Sequence, residues 1–257
     1  MKTKHFFIIL FATVALLSCE SRTGRQSGDV RMEIPAVSAG DRIIEYNGFT
    51  VCYDEPKRIP LWVAYEFTSD ETDGPVKRQG KYFYIDRGVR YWQADNSDYS
   101  GSGWSRGHMA PAGDFKWNEQ SMWDTFSFTN VCPQDPEMND GCWQTLEKHV
   151  RRMANKYGKV YVVTGPLTVE KPPRMGNNNV AIPYAFFKVL LTQKSGVYHS
   201  IGFIMQNNAQ PQTLGESVVS VNEVERQSGL DFFPSLDDSA EEQIEAETDW
   251  SYWNIRY

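Results

Sequence analysis

The chain has 257 residues, 40% of them apolar and 14% aromatic, and a formal net charge of −7. That length suits one domain with a sizeable core, and nothing in the sequence repeats or marks a second domain. A uniformly basic polyanion binder is excluded.

The charge is unevenly placed, however. Asp237, Asp238, Glu241, Glu242, Glu245, Glu247 and Asp249 crowd the C-terminal end, which reads as an acidic tail over 237–257 and leaves the rest close to neutral. A local basic cleft fits such a body, with Arg151, Arg152, Lys156 and Lys159 as one source of it. The same four suit a solvated helix end facing the C-terminal dipole.

At the N-terminus, Lys2 and Lys4 precede an apolar run from Phe6 to Leu17, too short to span a bilayer and suited to a signal segment. Leu16-Leu17-Ser18-Cys19 resembles a bacterial lipobox. The expectation is a signal peptide over 1–18 and an exported protein anchored to a bacterial membrane through lipidated Cys19, on the periplasmic or surface side; an ordinary cleaved signal is the plainer alternative. Residues 20 to about 40 are rich in Ser, Gly and Arg and read as a tether.

The domain is expected over 41–236. Ile43 to Tyr46 and Phe49 to Tyr53 flank Asn47-Gly48, a strong hairpin signal. Leu61 to Phe67, Val160 to Thr164, Ala185 to Leu191 and Tyr198 to Met205 read as further strands of a central, mostly antiparallel sheet. Asn118 caps a short helix through Asp124, and Ser220 caps another through Arg226 that stops at Gly229. Trp143, Leu146, Val150 and Met153 recur at helical spacing, so the segment after Asn139 is an amphipathic helix on that sheet, with His149 a surface or packing residue. The fold class is α+β.

The chemistry-bearing stretch is Ser105-Arg106-Gly107-His108-Met109-Ala110-Pro111, followed by Asn130, Asn139 and Glu147. His108 is near-neutral at physiological pH and takes a proton from water, while Arg106, on the same face of a strand, meets a phosphate oxygen. Asn139 and Glu147 offer oxygens to a hard divalent cation such as Mg2+, directly or through water. On an ideal helix they stand about 80° and about 12 Å apart, so both do not ligate one ion directly. The pattern implies metal-assisted hydrolysis of a phosphate ester.

Asn130-Val131-Cys132-Pro133-Gln134 and Asn139-Asp140-Gly141-Cys142-Trp143-Gln144-Thr145-Leu146-Glu147, following Arg106-Gly107-His108, resemble the signature of the DNA/RNA non-specific endonuclease family. The resemblance runs over about residues 43 to 235, through Val162-Val163-Thr164-Gly165-Pro166, Ile182 to Val189 and Val221 to Glu225. Ser105 stands where most members carry Asp. The resemblance implies a ββα-metal (His-Me finger) active site and Mg2+-dependent cleavage of DNA and RNA through backbone contacts, with Mn2+ or another divalent ion as an alternative. It makes His108 the general base, Arg106 an electrostatic partner, Asn139 the direct metal ligand and Glu147 the holder of a coordinated water. Asn130 orients His108 or braces the metal loop, and Arg78 matches a family arginine.

The rival classes are a catalytically silent nucleic-acid-binding surface lipoprotein and a phosphoesterase of small monoesters. Trp104 and Trp117 suit base stacking or, more plainly, the core. Cys132 and Cys142 flank the metal loop and are the favoured pair if a disulfide forms, with Cys52 left over; a zinc site from Cys132, Cys142 and His149 fits no common module.

Overall fold

The apolar runs read as strands pair antiparallel throughout. In the computed structural model, which describes residues 30–255, they are β1 (Ile43–Glu45), β2 (Thr50–Asp54) and β3 (Ile59–Thr68). The short strands β4 (Ser105–His108) and β5 (Val131–Gln134) come next, then β6 (Lys159–Leu167), the two-residue β7 (Arg174–Met175) and β8 (Val180–Ala181), β9 (Ala185–Lys194), β10 (Val197–Gln206) and β11 (Val218–Val219). The main sheet has the order β1-β2-β3-β6-β9-β10-β11, while β4-β5 and β7-β8 form separate two-stranded sheets. The signal segment, Cys19 and the first part of the expected tether lie outside the described residues.

The main sheet is covered on both faces, which is why β9 reads as a near-continuous apolar run and not as an alternating one. Side chains alternate between two cores. Val63, Tyr65, Phe67, Val160, Val162, Phe186 and Leu190 face one, and Trp62, Ala64, Val163, Phe187, Val189 and Leu191 face the other. The helices are α1 (Asn96–Tyr99), α2 (Glu119–Asp124), α3 (Pro136–Met138), α4 (Gln144–Tyr157), α5 (Leu214–Ser217), α6 (Val221–Ser228) and α7 (Asp238–Ala246). Trp143, Leu146, Val150 and Met153 seat α4 on the first core; Val221 and Val224 seat α6 on the second. The caps fall where the sequence puts them: Asn118 accepts from Ser121 N at 2.9 Å, Ser220 from Glu223 N at 3.2 Å, and Gly229 adopts φ 72° while its N–H donates to Glu225 O.

The helix expected to begin after Asn139 starts earlier. Asp135 caps it, accepting from Glu137 N at 2.9 Å and Met138 N at 3.1 Å, with Pro136 in the first turn, where its missing N–H costs nothing. Asn139–Trp143 is then a wide π turn before α4. Such turns change the phase of the side chains, so the ideal-helix angle between Asn139 and Glu147 does not carry over.

Both expected ends of the domain also differ. Met32 is buried in the second core and Ala36 N donates to Asp231 O at 2.8 Å, so residues from Arg31 on, expected to be tether, belong to the compact unit. The acidic end is docked. Trp253 is fully buried and its indole N–H donates to Ser200 O at 3.1 Å, while Ser200 Oγ donates to Ile244 O at 2.6 Å. Its seven acidic residues hide an apolar anchor.

Candidate active site

The site assembles where β4, β5 and the Asp135 to Tyr157 helical run meet. β4 and β5 are in antiparallel register, Ser105 opposite Gln134, Gly107 opposite Cys132 and His108 opposite Val131. Gly107 is required by close approach, because a Cβ there would lie 1.9 Å from Gln134 Oε1. The Gln134 side chain lies flat across the hairpin in the space a larger residue would fill.

His108 ends β4 with only 8% of its surface exposed, its ring 5.1 Å from Phe83 and 5.2 Å from Phe126 between centroids. Its Nε2 is enclosed without a hydrogen-bond partner. Burial, reinforced by the Arg78 guanidinium, pushes its pKa down to about 3, so the imidazole is neutral at physiological pH. Arg78 lies 5.6 Å over the same Phe126 ring. Arg106 packs against Phe83 and Tyr99 at 5.9 and 5.3 Å, and its Nε and Nη2 donate to Asn96 Oδ1 and O at 2.9 and 3.0 Å.

Asn130 is a buried clamp. Its Oδ1 accepts from Ala110 N at 2.8 Å, and its Nδ2 donates to Ala110 O and Thr125 O, both at 2.9 Å. The expected bond to His108 is absent; Asn130 instead pins the backbone two residues beyond it. Fully enclosed and fully bonded, the amide has no oxygen free for an ion.

Beside this lies a cleft of about 610 Å3 that brings Arg78 and Glu147 together. Lys77, Arg78, Lys116, Lys148 and Arg151 line it with Glu147 as the one carboxylate. The basic surface expected from the end of α4 is therefore built from other residues. Only Arg151 of that set reaches the cleft: Lys156 donates to Tyr252 O at 2.9 Å, Lys159 pairs with Glu66 at 3.1 Å, and Arg152 turns toward His149.

Two groups beneath Glu147, Asp114 and Lys188, carry no local signal in the sequence. Asp114, fully buried, accepts from Arg151 Nη1 at 2.5 Å and from Tyr65 Oη at 2.8 Å. Lys188, 1% exposed, donates to Thr164 Oγ1 at 2.5 Å and lies 4.9 Å from the centre of the Trp143 ring. Burial, and then the Asp114 carboxylate, raise the Glu147 pKa, while Lys188, Arg151 and Arg78 oppose the rise. Burial lowers that of Lys188, against the pull of Glu147 and Asp114. The signal for Lys188 is the parity of its strand, where it is an even position in a run whose even members, Phe186 and Leu190, face α4.

Asn139 is partly exposed at the start of the π turn, its Nδ2 donating to Asp140 Oδ1 at 3.0 Å. The amide oxygen accepts no hydrogen bond among the described residues. Among the described residues no three His, Cys, Asp or Glu side chains gather as a metal cage. The donor set fits a hard cation that keeps most of its waters. The favoured cysteine pair does not form: Cys52, Cys132 and Cys142 are all free, Cys132 buried behind β4 and Cys142 on the π turn. Nor do Cys132, Cys142 and His149 gather as a zinc site, since His149 is a buried packing residue. Trp104 and Trp117 are both partly buried, and Trp117 packs against the core.

Residues 27–239 match the family model described as DNA/RNA non-specific endonuclease. The mitochondrial nuclease EXOG of Homo sapiens is 38% identical over 210 residues, 75% of this chain and 57% of that protein. Mitochondrial endonuclease G of Bos taurus is 35% identical over 202 residues, 73% of this chain and 68% of that protein. This chain thus spans little more than half the length of the human EXOG it matches. The fold is also that of a crystal structure of an EndoG/EndoGI complex, with TM-score 0.74 and 30% identity over 79% of this chain and 89% of that one. With the signature blocks placed in a strand-strand-helix unit and the matched region covering most of its length, the chain belongs to the DNA/RNA non-specific endonuclease family.

Proposed function

We infer that this protein is a metal-dependent endonuclease that hydrolyses phosphodiester bonds of DNA and RNA without reading sequence. The observation that carries this reading is the neutral, enclosed His108, which feels the Arg78 guanidinium and shares the Phe83 ring with Arg106, beside a cleft whose charged lining is five cations and one carboxylate. A silent binding module has no use for a histidine kept uncharged among arginines, and a monoesterase has no use for so broad a cationic wall.

In the proposed reaction His108 accepts a proton from water at Nδ1, its Nε2 being enclosed, and general-base assistance of this kind is worth about 10² to 10⁴-fold. Arg106 and Arg78 bind the non-bridging oxygens and meet the charge that develops on them. Asn130 holds the backbone at Ala110, so the strand end carrying His108 keeps its position. Asn139 would hold the divalent ion through its amide oxygen, with Glu147 orienting a coordinated water. Mg2+ bound there supplies Lewis-acid stabilisation of the leaving oxygen. Because the cleft meets backbone and not base edges, both sugars are accepted. Anchoring through lipidated Cys19 in an exported protein remains part of the proposal. The test is incubation with supercoiled plasmid and with RNA: Mg2+-dependent nicking of both, arrested by EDTA, supports the reading, and cleavage of a chromogenic monoester alone refutes it.

A further inference from the structure

The loop from Tyr82 to Gln93 leaves the catalytic histidine and returns to the catalytic arginine. At its start Phe83 packs on the His108 ring at 5.1 Å; just beyond its end, Asn96 accepts both bonds from Arg106 and donates from Nδ2 to Phe83 O at 3.0 Å. Between these anchors the loop opens a second cleft of about 500 Å3, walled by Ile85, Arg90, Tyr91, Trp92 and Asp95. Trp92 is 69% exposed, an unusual place to leave an indole, whereas Trp62, Trp143 and Trp253 are fully buried. Arg58 lies 6.0 Å from the Trp92 ring centre and Arg42 5.0 Å from that of Tyr91. Arg87 and Arg90 are exposed and have no ion-pair partner among the described residues.

The wall carries one carboxylate, Asp95, and its oxygens are already occupied by Ser97 N and Oγ, both at 2.6 Å, and Asn178 Nδ2 at 3.2 Å. The nearby Glu55 carboxylate is held by Arg42 Nη2 at 2.8 Å and Trp92 N at 2.9 Å. An open aromatic face sharing its cleft with the unpaired guanidinium group of Arg90 is the arrangement that takes a nucleobase on the ring and its phosphate on the cation. The chain itself limits the distance. Trp92 precedes Asn96 by four residues, which span at most about 14 Å, and Asn96 holds Arg106. A base on Trp92 therefore lies close enough to Arg106 for one short strand to reach both.

Building on the nuclease reading, we propose that Trp92, with Arg90 and Arg87, is a base-stacking subsite that grips single-stranded nucleic acid beside the scissile bond. Stacking on a ring does not discriminate among bases, so the subsite adds affinity without sequence preference. It makes flexible strands, whose bases are free to unstack, better substrates than a long intact duplex.

The experiment separates this from the cleavage reaction by measuring binding alone, in EDTA, with the His108→Ala protein and a fluorescently labelled single-stranded oligonucleotide. Adding Trp92→Ala should weaken affinity by roughly 5- to 100-fold, and Trp92→Phe should restore most of it, as alanine scans of stacking residues give. Arg90→Gln should reduce the slope of log K against log salt by about 0.7, one phosphate contact on a single strand. In the cleaving enzyme the Trp92→Ala loss should appear in KM and grow with oligonucleotide length. Affinity of Trp92→Ala within twofold of its parent, or no oligonucleotide binding by the parent, overturns the subsite. A protein that binds through Trp92 but never cleaves would overturn the nuclease reading and leave the subsite standing.

Discussion

Lys188 on β9 and Thr164 on β6 are cross-strand partners, and the 2.5 Å bond between them holds an ammonium group inside the sheet face that carries α4. It completes a charged set, buried at Asp114 and Lys188 and reaching the cleft at Glu147 and Arg151, in which two carboxylates are faced by two cations. Removing one member of a buried charged set costs more than the set contributes, because the others stay buried.

Lys188→Met, which keeps most of the volume, should therefore cost about 3 kcal/mol near pH 7.5, where Glu147 is ionised and Lys188, lowered to about 8 by burial, still carries its charge. The cost should shrink at acidic pH, where the raised pKa lets Glu147 hold its proton. Urea unfolding of both proteins at about pH 5.5 and about pH 7.5 checks the difference, and an equal cost at both would contradict the coupling.

Asn130→Leu removes an acceptor and two donors at once, leaving Ala110 N–H, Ala110 C=O and Thr125 C=O enclosed without partners. Each such orphan costs about 1–3 kcal/mol, so the variant should lose several kcal/mol and most of its turnover. Asn130→Asp should do no better, since its second oxygen would face two carbonyls. Thermal unfolding beside an activity assay decides.

Gly107→Ala should destabilise by about 1–3 kcal/mol through overpacking against Gln134. Gln134→Ser should relieve it, so the double variant should be more stable than the sum of the two single changes. Additivity within about 0.5 kcal/mol would mean that the two side chains do not compete for one space.

How much of this was legible in the sequence differs by residue. The six strand runs and the helix from Ser220 to Gly229 announced themselves, because periodicity and caps are local. The β4-β5 pairing behind His108 came from the signature blocks and not from any alternation, since β4 is only four residues long. Asp135-Pro136 is a readable cap and first turn, and was overshadowed by the apolar spacing that starts later. Asp114 and Lys188 were illegible for a physical reason: a charged residue is buried only when partners from distant segments neutralise it, and those partners, Arg151 and Thr164, lie 37 and 24 residues away. At the C-terminus, composition concealed structure, because acidic residues on the exposed side of α7 outnumber the Trp253 and Ile255 that dock it.

That docking makes a prediction opposite to a free tail. Trp253→Ala should cost about 3–5 kcal/mol, the usual price of emptying a buried tryptophan site. Deleting residues after Leu236 should lower Tm and leave low-salt activity no higher. A truncated protein with unchanged Tm would show that the segment does not belong to the folded unit.

The same segment should set the alkaline limb of stability. Burial and the neighbouring Glu225, Glu241 and Asp231 raise Glu245 to about 9, and burial with Asp231, Glu225 and Asp238 raises Glu241 to about 7. The folded protein then holds protons that the unfolded chain has released, so this contribution is full below about pH 4.5 and fades as pH rises through the folded values. His108, lowered to about 3, and His149, lowered by burial and Arg152 to about 4, act in the other direction. Unfolding takes up their protons, so stability falls as pH drops below about 6.5. Between about pH 6.5 and 8 the raised carboxyls prevail, and above that the lowered Lys188 opposes them. Tm should decline across that range, and Glu245→Gln should flatten the decline; an unchanged slope would contradict the assignment.

The most direct measurement compares the wild-type protein with His108→Ala on supercoiled plasmid and on RNA in Mg2+, with nucleic-acid affinity measured in parallel. The account predicts that the wild type nicks both substrates and that the variant loses about 10² to 10⁴-fold in rate while binding as tightly as before. Equal cleavage by the two proteins would contradict it, because the enclosed, uncharged imidazole at the end of β4 would then have no part in the reaction.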